Sequence, residues 1–244
     1  RMGRENLCLN RIRIGFERNG SHAEYAVIPA ENVMPVSEHI PWTSAAVIPD
    51  AVACMYNAIK VQGKVKAGDK VLLAGMGALG VQGIQIAKYL GAKVYASGRT
   101  EAKLELALKF GADGTINVRE KNLQEEIARL TDGELCDVVV DLIGTDSSID
   151  EELRCLRPGG KLIAAAYAAD TFPVNFQEVV IKEKEIIGLR GASPQALKEA
   201  IELVEKGIID PYVCRTWKLE EVNEAIGALR SFQNLARTAF TFEE

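Results

Sequence analysis

The sequence predicts an α/β fold, a doubly wound and mostly parallel sheet of about six strands with helices on both faces. Two observations predict it. From Lys70 onward, short apolar runs alternate with amphipathic helical patterns. The runs themselves, such as "KVLLAG" and "CDVVVDLIG", are apolar at consecutive positions, as strands buried on both faces are. A chain of 244 residues, 48% hydrophobic and 26% charged, is long enough to bury such a core.

Residues 1–48 read as short strands and loops. "SHAEYAVIP" alternates around Tyr25 and Val27, and Pro29, Pro35 and Pro41 punctuate the stretch. Residues 49–62 read as a helix with Val52, Met55, Tyr56 and Ile59 on one face. "KVLLAG" is a strand, "LGVQGIQIAKYLG" a helix closed by Gly91, and "KVYASG" the next strand. The following helix starts at Thr100 and stops at Gly111. "NLQEEIARL" is a helix with Asn122 as N-cap and Glu125 three residues on. "CDVVVDLIG" and "GKLIAAAY" are further strands, separated by the helix "SSIDEELRCL" and the turn "RPGG", and "KEIIGLRG" is the last of the set. Beyond Gly191 the pattern changes. Ser193-Pro194 opens a helix that ends at Gly207. "LEEVNEAIGALR" is a helix with Val222, Ala225, Ile226 and Leu229 on one face, and "RTAFTF" alternates like a strand.

Charge and composition narrow the function. The net charge is −5 with scattered Lys and Arg, which argues against nucleic acid as a partner. No apolar run approaches the ~18 residues of a membrane span, and no signal peptide is visible. The five cysteines form no CxxC, and an odd number argues against a disulfide framework. A reduced, cytoplasmic setting is therefore expected.

The chemistry-bearing stretch is Gly75-Met76-Gly77-Ala78-Leu79-Gly80, a G-x-G-x-x-G that leaves a strand and opens a helix. Gly75 permits the tight turn, Gly77 lets a pyrophosphate approach the backbone, and Gly80 lets helix and strand pack closely. The free amides of the helix start, at Ala78 and Leu79, favour an anion. The motif is the fingerprint of a dinucleotide-binding turn. An acidic residue usually follows about 20 positions on, where it holds the ribose hydroxyls. Here that position is Gly98, followed by Arg99 and Thr100, with Lys103 one turn into the next helix. A missing carboxylate and an adjacent guanidinium suit a 2′-phosphate, so NADP(H) is expected in preference to NAD(H).

These segments in combination resemble the medium-chain dehydrogenase/reductase superfamily of zinc-type alcohol dehydrogenases. "GSHAEYAVIPAENVMPV", "AGDKVLLAGMGALGVQGIQIAKYLGAKV", "VVVDLIG", "LRPGGKLI" and "LEEVNEAIGALR" each resemble a family segment. The resemblance implies a Rossmann domain over residues 50–187. The remnants of a β-rich, GroES-like catalytic domain would occupy 1–49 and 188–244. "GRENLC" resembles the end of the structural-zinc lobe, with Cys8 as its fourth ligand. The chain opens on Arg1-Met2 within that lobe, which reads as an N-terminal truncation. "AAVIPDAVACMYNAI" resembles the segment carrying a catalytic-zinc ligand, placing Asp50 as a metal-ligating carboxylate; capping of the following helix is its alternative role. Cys54 matches a position beside the nicotinamide that is often Thr; a plain buried cysteine is its alternative role. Arg237 matches an arginine that reaches the pyrophosphate, and Ala166 and Tyr167 match backbone that meets the nicotinamide carboxamide. An aromatic that lines the adenine pocket in many members is missing near Val118. His22 and His39 have no ligand spacing.

The resemblance thus implies hydride transfer between NADP(H) and an alcohol/carbonyl pair, zinc-assisted in the full-length protein. A small-molecule alcohol, aldehyde or ketone is the implied substrate, and a homodimer or homotetramer the implied assembly. Two alternatives stand beside it: a zinc-independent quinone or enoyl reductase of the same superfamily, and a non-catalytic NADP(H)-binding fragment.

Overall fold

The computed structural model describes residues 3–242. Arg1 and Met2, where the unusual opening falls, lie outside the described residues.

Six strands form one parallel sheet: β1 (Lys70–Ala74), β2 (Lys93–Gly98), β3 (Gly114–Asn117), β4 (Cys136–Asp141), β5 (Leu156–Ala164) and β6 (Glu185–Gly188). Their order is β3-β2-β1-β4-β5-β6. Each pair is parallel, with Val71 beside both Val94 and Val138. The order reverses at β1, whose C-terminal end therefore opens a crevice where ligands bind in such sheets.

Nine α-helices lie among the described residues. They are α1 (Trp42–Val47), α2 (Ala53–Tyr56), α3 (Ala78–Tyr89), α4 (Glu101–Lys109), α5 (Leu123–Leu130), α6 (Ser148–Arg154), α7 (Phe176–Ile181), α8 (Pro194–Glu205) and α9 (Val222–Arg230). Wider π turns at Ile48–Val52 and Asn57–Gln62 flank α2, so the chain winds without interruption from Trp42 to Gln62.

The consecutive apolar residues of the strands serve two cores. Val71, Leu73, Val94, Ala96, Val138 and Val140 point to one, which α2, α3, α4 and α8 cover. Leu72, Ala74, Tyr95, Val139 and Leu162 point to the other, beneath α5 and α6. Side chains such as Leu72 and Leu73 are fully buried, and each contributes about 1.5–3 kcal/mol.

Local chemistry explains most boundaries. Asn122 accepts a hydrogen bond from the Glu125 amide at 3.0 Å and caps α5. Ser193 accepts one from Ala196 at 3.2 Å and caps α8, with Pro194 at its first position. Gly91, Gly111 and Gly207 follow α3, α4 and α8 with positive φ, as helix ends of this kind require.

The structure corrects four expectations. Among the described residues before Trp42 there is no strand, only two short 3-10 turns and one isolated bridge, Ile14 with Arg18. Tyr25 and Val27 are fully exposed: an alternating pattern makes a strand only beside a partner strand that accepts its hydrogen bonds. The helix expected from residue 49 begins at Trp42. β5 begins at Leu156 and carries the "RPGG" turn inside it, with a register shift against β4. In α9, Ala225 and Ala228 are the buried residues, while Ile226 and Leu229 face outward.

Beyond the sheet, β7 (Val213–Lys218) pairs in parallel with β8 (Arg237–Thr241), and both lie against α1. Trp217 packs there on Ala225, Ala228 and Phe240. β8 was expected from "RTAFTF"; β7, β3 and α7 were not read from the sequence.

Candidate active site

The site gathers at the C-terminal ends of β1, β2, β4 and β5. Gly75 leaves β1 with φ +102°, and its amide donates to Ser97 O at 3.1 Å. A Cβ there would stand 2.9 Å from Ile143 Cγ1, so the turn and the loop after β4 touch directly. Gly77 is extended and is the N-cap of α3. A Cβ on Gly77 would meet nothing within 4 Å, so the backbone faces open space at this point. No side chain caps α3. The amides of Ala78, Leu79 and Gly80 precede the first intrahelical bond, from Val81 to Gly77 O, and so have no partner within the helix. They make an anion site of the kind a pyrophosphate fits. A Cβ on Gly80 would stand 2.9 Å from Met76 Sδ and 3.1 Å from Gly75 O, which accounts for the third glycine.

Gly98 ends β2. A Cβ there would lie 3.2 Å from Leu104 Cδ2, so Leu104 crowds the place from which an acidic side chain would project. Thr100 holds the N-cap position of α4 in extended conformation, with no capping bond from its side chain. Burial, and then the neighbouring charge of Arg99, hold the Lys103 ammonium below its ordinary value. Two cations thus lie near each other beyond Gly98, and neither Arg99 nor Lys103 makes an ion pair among the described residues.

The loops after β4 and β5 close the other side. Asp141 is fully buried at the end of β4, and its Oδ1 accepts from the amides of Ile143 at 2.8 Å and Gly144 at 3.0 Å. Gly144 has φ +66°, and a Cβ on it would come within 2.5 Å of Ala166 and Tyr167 backbone. Ala166 and Tyr167 are therefore brought to the crevice through Gly144, while the Tyr167 side chain is exposed. Asp141, Ile143 and Gly144 were not singled out from the sequence. The signal was a carboxylate closing the apolar run "VVVD", three residues before a glycine.

Asp50 lies in the π turn before α2 and accepts a hydrogen bond from the Arg237 guanidinium of β8. Cys54, one turn further on, is buried; burial first and Asp50 second push its thiol up to about 11, against the opposing charge of Arg237. The structure thus brings together Asp50, Cys54 and Arg237, three residues singled out separately. Cys8 is exposed at the end of a 3-10 turn. No three His, Cys, Asp or Glu side chains among the described residues gather to hold a metal ion. His39 hydrogen-bonds Ser37 at 2.7 Å, and His22 packs edge-on against Phe240.

The sheet order, the switch point and the glycine turn are those of an α/β dinucleotide-binding domain. A family model described as zinc-binding dehydrogenase matches residues 78–206, and the chain belongs to that family of nicotinamide-dependent oxidoreductases. The chain is 28% identical over 237 residues to L-threonine 3-dehydrogenase of Chromobacterium violaceum, covering 96% of this chain and 69% of that protein. It is 30% identical over 225 residues to D-arabitol-phosphate dehydrogenase of Enterococcus avium, covering 90% and 64%. A crystal structure of an NAD-dependent alcohol dehydrogenase superposes with a TM-score of 0.91 at 30% identity, over 99% of this chain and 71% of that one. The chain thus spans about two thirds of the length of these relatives. Among the described residues, no helix is long and apolar enough to cross a membrane.

Proposed function

We propose that the protein transfers hydride between NADP(H) and a small alcohol/carbonyl pair. The observation that carries the NADP(H) reading is the ribose end of the site, where Gly98 stands in place of a carboxylate and Arg99 and Lys103 lie near each other with no ion-pair partner among the described residues. A 2′-phosphate satisfies both cations by charge-assisted bonds, bidentate from Arg99. A carboxylate anchor for a free ribose, which NAD(H) requires, has no candidate at position 98.

The pyrophosphate would rest on Gly77 and the amides of Ala78, Leu79 and Gly80. The loop of Ile143 and Gly144, with Ala166 and Tyr167, would border the nicotinamide. The nicotinamide supplies the hydride chemistry when bound; the chain supplies its position and the exclusion of water. Asp50 and Cys54 lie on the helix that follows the expected catalytic part. Cys54, buried and held as a thiol, acts by packing.

The zinc that the resemblance implies does not fit this set of residues. Among the described residues Cys8 and Asp50 belong to no cluster of donors, and Asp50 is engaged by Arg237. A single oxygen or thiolate does not hold Zn²⁺, so no step here runs through a metal. The engagement of Asp50 by Arg237 favours, as a second reading, a zinc-independent quinone or enoyl reductase of the same superfamily.

Assembly is proposed through β6. It is the edge of the sheet, with Ile186 exposed on it. A second copy pairing there would cover both the edge and the apolar surface. Sedimentation as a monomer at micromolar concentration contradicts this.

The function is tested by following NADPH formation or consumption with panels of small alcohols, aldehydes, ketones and enones. Turnover of any alcohol/carbonyl pair with NADP(H) supports the first reading, and turnover of enones alone the second. No turnover with either dinucleotide, in protein that still binds NADPH, moves the chain to the non-catalytic alternative.

A further inference from the structure

One buried cluster borders the site and takes no part in the function proposed above. Glu152, on the inner face of α6, is 1% exposed, and neither of its carboxyl oxygens has a hydrogen-bond partner among the described residues. Asp141 Oδ2 is equally buried and equally without a donor. α6 packs on β4, which puts Glu152 and Asp141 in one buried space, and burial first and Asp141 second hold the Glu152 proton on. Two carboxylates side by side in an apolar core repel, whereas one acid and one carboxylate share a proton and satisfy both. Asp141 Oδ1 is already committed to the amides of Ile143 and Gly144. The proton therefore sits on Glu152.

We propose that Glu152 is a positioning residue: as a neutral carboxylic acid it donates to Asp141 Oδ2, and Asp141 so fixed holds the 143–144 loop against the glycine turn. The chain of contacts is short. Glu152 orients Asp141, Asp141 anchors Ile143 and Gly144, Ile143 fills the space beside Gly75, and Gly144 meets Ala166 and Tyr167. The charges facing Glu152 are those of Asp141 and, more weakly, Glu151; both act with burial to keep its proton on, to about pH 10. That the loop so held borders the nicotinamide rests on the cofactor reading above; the shared proton does not.

The test has two arms. Infrared difference spectra of wild type against Glu152→Gln at pH 8 should show the carbonyl band of a neutral carboxylic acid in the wild type alone. In the second arm, NADPH affinity is measured by fluorescence. Glu152→Gln keeps a donor toward Asp141 and should bind like wild type, whereas Glu152→Leu strands a buried carboxylate and should bind at least about tenfold more weakly. Should the Leu variant fail to fold, the pH profile decides. Wild-type affinity should fall as pH approaches 10 while that of Glu152→Gln stays flat. Absence of the neutral-acid band, or equal affinities and equal pH profiles, overturns the proposal. If wild type binds neither NADPH nor NADH, the cofactor reading fails, and the infrared band still decides the shared proton.

Discussion

Arg237 and Asp50, 187 positions apart in sequence, form an ion pair that ties β8 to the turn before α2. Each was expected at a different ligand, Arg237 at a pyrophosphate and Asp50 at a metal. Together they neutralise each other.

The pair is partly exposed, with side chains 35% and 64% accessible for Arg237 and Asp50, so solvent screens it. A double-mutant cycle with Asp50→Asn and Arg237→Gln should give a coupling of about 0.2–1 kcal/mol that shrinks with added salt. A coupling several times larger, insensitive to salt, contradicts this description.

The glycines separate binding from folding. Gly77→Ala enters open space in an extended conformation, so its stability should stay within about 0.5 kcal/mol of wild type while NADPH affinity falls, because in the proposed site the methyl would stand where the pyrophosphate approaches. Gly80→Ala forces Cβ toward Met76 and Gly75 O and should cost about 1–3 kcal/mol. Denaturant melts beside cofactor titrations check both. Equal loss of stability in the two variants contradicts the division of roles.

Thiol reactivity should be graded. Cys54, Cys136 and Cys155 are buried, and burial pushes all three thiols up, those of Cys54 and Cys155 to about 11 and about 12. Cys8 is exposed. In native protein at pH 8, Cys8 should react first with a disulfide reagent, and those three only on unfolding. Rapid labelling of Cys54 in the folded protein is the contrary result.

Glu152 gives stability a sign. Its proton is held in the fold to about pH 10 against an ordinary value of 4.5. The native state therefore binds one proton more than the unfolded chain in that window. Stability falls as pH rises through it, by up to about 1.4 kcal/mol per pH unit, and the contribution is complete only below the unfolded value. Glu152→Gln lacks this slope, so its stability relative to wild type should grow between pH 5 and pH 9. Parallel stability curves for the two proteins contradict it.

Much of the glycine turn was legible in the sequence because its chemistry is local. A buried strand, a glycine at positive φ and an uncapped helix start lie within eleven consecutive residues, 70–80, and Gly98 closes the neighbouring strand. The Asp141–Glu152 pair was not legible, since its two members meet only when β4 and α6 pack. β7 was not legible because Arg215 interrupts its apolar residues, and only the parallel pairing with β8 makes it a strand. Tyr25 and Val27 misled in the opposite direction, their alternation having no partner strand among the described residues. In α9 the helical period was right and the buried face was not. Small residues, Ala225 and Ala228, sit against Trp217, and the larger Ile226 and Leu229 point out.

The central claim, a site built for a 2′-phosphate, is tested most directly by titrating NADPH and NADH into wild type, Arg99→Ala and Lys103→Ala. Wild type should prefer NADPH by roughly tenfold to a hundredfold, the weight of about 1.5–3 kcal/mol for bonds between charged partners. Arg99→Ala should lose most of that preference, and Lys103→Ala part of it, with NADH affinity nearly unchanged in both. Equal affinity of wild type for the two dinucleotides, or a ratio untouched by Arg99→Ala, would contradict it.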